Sequence, residues 1–134
     1  MPLNIFVLDT SALFAFRSNE SGADRVEFLL QRARRDRHQL LASFMTRMEL
    51  LYCIWRYEGE AASYDALRLV DSFNLEWVSC DPDILSTACR VKVQGGLSVA
   101  DSWIAATTVV RGATLIHKDP EFTKFTELRQ EFLR

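Results

Sequence analysis

Apolar and polar positions along the chain fall into short blocks whose period switches repeatedly between strand and helix. Leu3–Leu8 is an uncharged run without in/out alternation, which predicts a buried strand. Asp9, Thr10 and Ser11 follow it and supply N-cap chemistry for a helix over Ala12–Arg17. Val26, Leu29, Leu30 and Ala33 share one helical face and predict a second helix over Ala23–Arg35. Gln39–Ser43 is predicted as a short strand. A long helix then starts at Ser43 or Thr46, runs through Arg56 and is stopped by Gly59. Glu60–Phe73 carries another helical pattern, and Leu75–Ser79 a strand. Asp81 and Pro82 open a further helix that ends at Gly95 and Gly96. Ser98–Arg111 is a helix closed by Gly112, and Ala113–His117 a strand. The amphipathic tail, Pro120–Arg134, fits either a helix or an edge strand.

Strands alternating with helices, and strands without a polar face, predict a three-layer α/β/α domain with a mainly parallel sheet. One domain is expected over residues 1–134, a length that supports its own core. In such sheets ligands bind outside the carboxyl ends of the strands, and that edge is where chemistry is sought.

Composition narrows the class. With 49% hydrophobic residues, 25% charged, 5 Gly and 3 Pro, the chain is neither disordered nor of low complexity. Its longest uncharged stretches, His38–Thr46 and Ser102–Val110, are 9 residues each. A membrane-spanning helix needs about 20, so none is expected. The first residues lack the basic region and cleavage site of a signal peptide, and a cytoplasmic location is expected. A net charge of −2 excludes a basic surface over the whole domain, though not a local patch. Cys53, Cys80 and Cys89 lie in apolar segments without a C-x-x-C pair, and are expected to be buried free thiols.

The candidate chemistry lies in isolated carboxylates. Asp9 is the only charged side chain in residues 1–16, and Asp101 the only one in residues 93–110. An ionised carboxylate buried without a counter-charge costs on the order of several kcal/mol, so compensation must come from space. Each acid also has a purely structural use. Asp9 fits a helix cap, Asp101 a capping box with Ser98, Asp119 a turn before Pro120, and Glu49 a solvated helix flank. Together they point elsewhere. Asp9 and Asp119 each follow a strand, Asp101 opens a helix near the same rim, and Glu49 lies in the first two turns after the second strand. Acids gathered there raise each other's pKa unless a cation sits among them. An all-oxygen set suits Mg²⁺ or Mn²⁺, and such an ion with open positions for water hydrolyses phosphodiesters.

Val7–Ala12 (VLDTSA), Thr46–Leu51 (TRMELL), Leu97–Ala106 (LSVADSWIAA) and Ile116–Phe122 (IHKDPEF) resemble the four acidic motifs of PIN-domain ribonucleases. Length and element order resemble the VapC toxin branch, and the likeness spans Val7 to Phe122. The resemblance implies a Mg²⁺-dependent endoribonuclease with Asp9, Glu49, Asp101 and Asp119 as metal ligands, assisted by a hydroxyl at Thr10 or Ser11. It also implies a homodimer and, for a toxin, inhibition by a cognate antitoxin. Two positions depart from the pattern: His117 stands where the family often has Thr, and Glu121 is the acid two residues beyond the last ligand.

RNA needs positive charge. Arg32, Arg34, Arg35 and Arg37 form the densest basic run, which also suits a solvated helix end. Arg47 and Lys118, beside the proposed ligands, are better placed for phosphate. Phe44, Tyr52, Trp55 and Trp103 are expected in the core or a dimer interface rather than as base-stacking platforms. An antitoxin helix is expected in a groove between the Glu49 helix and the helix at Ala23–Arg35. The alternatives are a housekeeping RNA-processing nuclease and a non-catalytic binding module, the latter expected to lack one or more of the four acids. Receiver and dehalogenase-like domains fit poorly, because Ser11 stands where the second would need Asp.

Overall fold

The structure, a computed structural model, describes residues 4–134. Five strands form one sheet: β1 (Asn4–Leu8), β2 (His38–Ser43), β3 (Leu75–Val78), β4 (Thr114–His117) and β5 (Gln130–Phe132). Their order is β3-β2-β1-β4-β5, and every neighbouring pair is parallel. Six helices connect them: α1 (Thr10–Arg17), α2 (Ala23–Arg34), α3 (Phe44–Glu58), α4 (Glu60–Asp71), α5 (Pro82–Gln94) and α6 (Val99–Val110). The predicted α/β class and parallel sheet are what the chain adopts. Leu3, the predicted start of β1, lies outside the described residues. Among those residues no helix is long and apolar enough to cross a membrane.

The uncharged strands owe their composition to burial on both faces. Along β1, β2 and β4, successive residues point to opposite layers. Leu8, Leu40 and Ile116 join the core under α1, α2, α3 and α4, whereas Val7, Leu41 and Leu115 join the core under α5 and α6. Both layers therefore claim apolar side chains from the same short strands. No polar face remains to alternate.

The strands run outward from β1 in two directions, to β2 and β3 on one side and to β4 and β5 on the other. The carboxyl ends of β1 and β4 thus flank the point where strand order reverses, with Leu8 paired to Ile116. Asp9, directly after Leu8, and Asp119, two residues after His117, stand at that crevice.

The tail resolves into a 3₁₀ turn over Pro120–Lys124 and the edge strand β5. Leu133, just beyond β5, packs on the loop between α1 and α2. Gly22 there has φ +97°, and a Cβ at that position would stand 2.8 Å from the Leu133 Cβ. The expected burial of all three cysteines does not hold. Cys53 is half-buried, while Cys80 and Cys89 are exposed. Cys80 sits in the turn after β3, and Cys89 on the solvent side of α5, next to buried Ala88. Tyr52 and Trp55 are likewise on the surface of α3 rather than in the core. Phe44 and Trp103 form an edge-to-face pair at 5.3 Å.

Candidate active site

Asp9 ends β1 and starts α1. Its N–H donates to the Ile116 carbonyl at 3.0 Å, which fixes the residue at the β1–β4 seam. Its carboxylate accepts from the Ser11 N–H at 3.1 Å and from the Ser11 hydroxyl, so it does cap the helix. The residue is only 4% exposed. Burial lifts its pKa to about 6; the Ser11 bonds oppose that shift, and Glu49 and Asp119 add to it.

The neighbouring hydroxyls bind the site together. Ser11 Oγ also accepts from the Lys118 N–H at 2.9 Å, joining the turn after β1 to the turn after β4. Thr10, itself buried, donates its hydroxyl to Glu49 Oε1 at 2.7 Å and so holds the acid of α3 against α1. Burial raises the Glu49 pKa; Asp101 and Asp119 push it further, while the Thr10 bond resists.

Asp101 lies in the first turn of α6, where Ser98 Oγ caps its backbone N–H at 3.1 Å. Its carboxyl is pushed up to about 6 by burial first, then by Asp9 and Asp119. Asp119 follows β4, and its Oδ1 accepts from the Glu121 N–H at 3.0 Å. The fold thus brings Asp9, Glu49, Asp101 and Asp119 within each other's field at one sheet edge. Glu121 adds to that field at Asp101. Among the described residues, none of these four carboxylates forms an ion pair with a basic side chain.

The chemistry of the donors fits a hard cation: four carboxylates, two hydroxyls and no thiol. Among the described residues, no three carboxylate, imidazole or thiol groups stand close enough to form a finished cage. An ion here would bind through part of the set and keep water in its shell, as Mg²⁺ ordinarily does.

His117, the departure noted in the sequence, is fully buried at the end of β4. Its Nδ1 accepts from the Asp119 N–H at 3.1 Å. Its Nε2 lies 2.9 Å from Gln130 Oε1, while Gln130 Nε2 donates to the carbonyls of Phe122 and Phe125. These partners require a neutral imidazole protonated at Nε2, and burial lowers its pKa accordingly. Both ring nitrogens are committed, so His117 shapes the Asp119 turn. Gln130 was invisible to sequence reasoning, because its partner is 13 residues away on another strand.

A prediction follows from the two bonds. In His117→Asn the amide oxygen occupies the place of Nδ1 and still accepts from Asp119; in His117→Gln it is the Nε2 position that is mimicked. His117→Gln is expected to weaken Mn²⁺ binding on the order of tenfold, with His117→Asn within about threefold of the parent. Calorimetric titration with Mn²⁺ measures both. Equal losses in the two variants would show that the Asp119 bond carries no positioning role.

Arg47 and Lys118 are engaged elsewhere. Arg47 lies over the Trp77 ring at 5.3 Å and pairs with Asp71 at 3.5 Å. Lys118 Nζ donates to the Ser21 carbonyl and hydroxyl, both at 3.0 Å, and faces Glu20 at 3.6 Å. The apolar grooves also differ from expectation. One of about 370 Å³ runs along α3 past Met48, Tyr52 and Trp55. Another of about 430 Å³ lies between α5 and α6. Residues of α2 line neither, because α2 packs on α1 and β2 instead.

A family model described as PIN domain matches residues 6–128. No curated protein matches the chain significantly. Among solved structures, the chain is similar to one in the Rickettsia felis VapBC2 complex bound to a promoter DNA fragment. The TM-score is 0.79 at 18% identity, over 97% of this chain and 99% of that one. A DNA-bound VapBC from Salmonella typhimurium gives 0.77 at 20% identity, over 98% of each chain. Mycobacterium tuberculosis VapC20, described as a sarcin–ricin loop cleaving toxin, gives 0.67 at 16% identity, over 91% of this chain and 95% of that one.

Proposed function

The chain belongs to the PIN-domain family, and from that premise we propose that it is a Mg²⁺- or Mn²⁺-dependent endoribonuclease, the toxin of a toxin–antitoxin pair. The observation that carries the reading is the group of four carboxylates at the sheet's reversal point: burial first, and then the neighbouring acids, raise the pKa of Asp9, Glu49 and Asp101, and among the described residues none of the four pairs with a basic side chain. Asp9, Glu49, Asp101 and Asp119 would hold the ion directly or through water. When bound, such an ion lowers the pKa of water and stabilises charge on the phosphate.

The remaining groups do the positioning. Thr10 presents Glu49 to the pocket, and Ser11 orients the Asp9 carboxylate. The Ser11 hydroxyl is held between Asp9 and the Lys118 N–H, and both His117 nitrogens are occupied, which argues against a protein nucleophile. Attack then falls to water, and the products carry a 5′-phosphate and a 3′-hydroxyl.

The toxin assignment draws on two structural neighbours from Mycobacterium tuberculosis, VapBC-5, described as a member of a family of toxin–antitoxin systems, and VapC20, described as a toxin. An acidic pocket attracts a basic antitoxin segment, with an Arg reaching Asp9 or Asp101. Among the described residues, the grooves on α3 and between α5 and α6 are apolar surfaces that would suit that partner or a homodimer. The test is cleavage of single-stranded RNA with Mg²⁺ or with EDTA, followed by analysis of the product ends. Activity only with metal, with 5′-phosphate ends, is the expected result. Activity in EDTA, or 2′,3′-cyclic phosphate ends, would overturn it.

A further inference from the structure

Among the described residues, eight of the sixteen basic side chains pair with a carboxylate. Arg17, Arg25, Arg68, Arg90 and Arg111 each pair with a carboxylate at 3.3 Å or less. Four of the eight that do not are concentrated at the end of α2 and the turn into β2. Arg34, Arg35 and Arg37 are exposed, and among the described residues neither they nor Arg32 takes part in an ion pair, although exposed Asp36 stands among them.

A second observation marks the same place. Three buried side-chain polar atoms among the described residues lack any hydrogen-bond partner, and two of them, Arg32 Nε and His38 Nδ1, are here. Such atoms ordinarily find a partner in the protein, in water or in a ligand. Beside them lies a recess of about 240 Å³ lined by Asp36, His38, Gln39, Asn74 and Glu76, whose carboxylate is paired with Arg111. Exposed Phe28 carries the guanidinium groups of both Arg25 and Arg32, each 5.6 Å from its ring centroid. The His38 pKa is lowered by burial first and then by Arg32 and Arg25, a sign of local positive potential.

The patch sits at the amino edge of the sheet, since His38 pairs with Asn4 while Asp9 follows Leu8. Five strand residues separate the two edges, about 16 Å at roughly 3.3 Å per residue. Without its ion the acidic pocket repels a polyanion, and the rest of a long strand gains retention from positive charge away from the carboxylates.

We propose that Arg32, Arg34, Arg35 and Arg37 form a secondary binding site for the phosphate backbone of the RNA substrate, away from the point of cleavage. The idea rests on the ribonuclease reading for the identity of the polyanion. Phosphate contacts of this kind position a strand without reading its sequence. Arg32 and Phe28 supply a stacked platform on which a base can lie.

The test compares the parent with Arg34→Gln/Arg35→Gln/Arg37→Gln, all surface positions. A control, Arg17→Gln/Arg68→Gln/Arg90→Gln, lowers the net charge equally elsewhere. Two substrates are used: a long single-stranded RNA, and an oligonucleotide too short to span from the pocket to the patch. The patch variant is expected to raise KM for the long RNA on the order of tenfold more than for the short one. The control is expected to leave that ratio unchanged.

Anisotropy of the long RNA without divalent metal reads binding independently of cleavage. There the salt slope of log affinity is expected to flatten by about 2 in the patch variant, at roughly 0.7 per lost phosphate contact. Unchanged RNA affinity in the patch variant, or an equal change in the control, overturns the proposal. Tighter binding of duplex DNA than of RNA overturns it as an RNA site. Patch-dependent RNA binding by a protein that cleaves no RNA would leave this site standing and remove the nuclease reading.

Discussion

Asp9→Asn is expected to lower kcat for RNA cleavage on the order of a thousandfold, because several kcal/mol of charge stabilisation depend on holding the ion. Asp9 is the most buried of the four acids and sits on the seam between β1 and β4. The asparagine amide oxygen still accepts from the Ser11 N–H, so the start of α1 survives the change. The loss therefore reports on the chemistry and not on the fold. Single-turnover cleavage with the metal titrated to saturation checks it, and near-parental turnover would show that Asp9 is not a ligand.

The same substitution is expected to stabilise the metal-free protein, in a pH-dependent way. The folded-state pKa of Asp9, about 6, lies above its ordinary value of 3.8. Between those values the folded state binds more protons than the unfolded state, so this group's contribution to stability falls as pH rises. At neutral pH its ionisation is a penalty of up to about 3 kcal/mol. Below the ordinary value both states are protonated, and the penalty vanishes. His38 and His117 act in the opposite sense. Their lowered pKa values make acidification destabilising, which obscures the trend in the parent alone. The difference between Asp9→Asn and the parent removes them. Calorimetry in EDTA is expected to show a melting-point advantage for Asp9→Asn of several degrees at neutral pH, shrinking to nothing in acid. Saturating Mg²⁺ is expected to reverse the order, since only the parent gains from binding. An advantage independent of pH would place its origin in packing rather than charge.

Much of this site was legible because local sequence carried it. Asp9 and Asp101 stood out as lone charges in apolar stretches, and such isolation is visible without coordinates. Strand ends gave their location, because a parallel sheet buried on both faces leaves only its edges for polar chemistry. The helix starts were also local matters: Asp9, Ser43, Asp81 and Ser98 each accept a backbone N–H as caps. The tail was not legible, since an amphipathic segment becomes an edge strand only when β4 is there to pair with it. Gln130 and the engagement of Lys118 by Ser21 depend on contacts between distant segments, for which spacing offers no signal. The exposure of Cys80 and Cys89 is not legible, because apolar neighbours in sequence are not neighbours in space.

The most direct measurement is anomalous diffraction from a crystal soaked in Mn²⁺. The account predicts a Mn²⁺ peak among the carboxylates of Asp9, Glu49, Asp101 and Asp119, reached directly or through water, and its loss in Asp9→Asn. A protein that cleaves RNA with Mn²⁺ bound elsewhere, or with no ion among these four side chains, would contradict it.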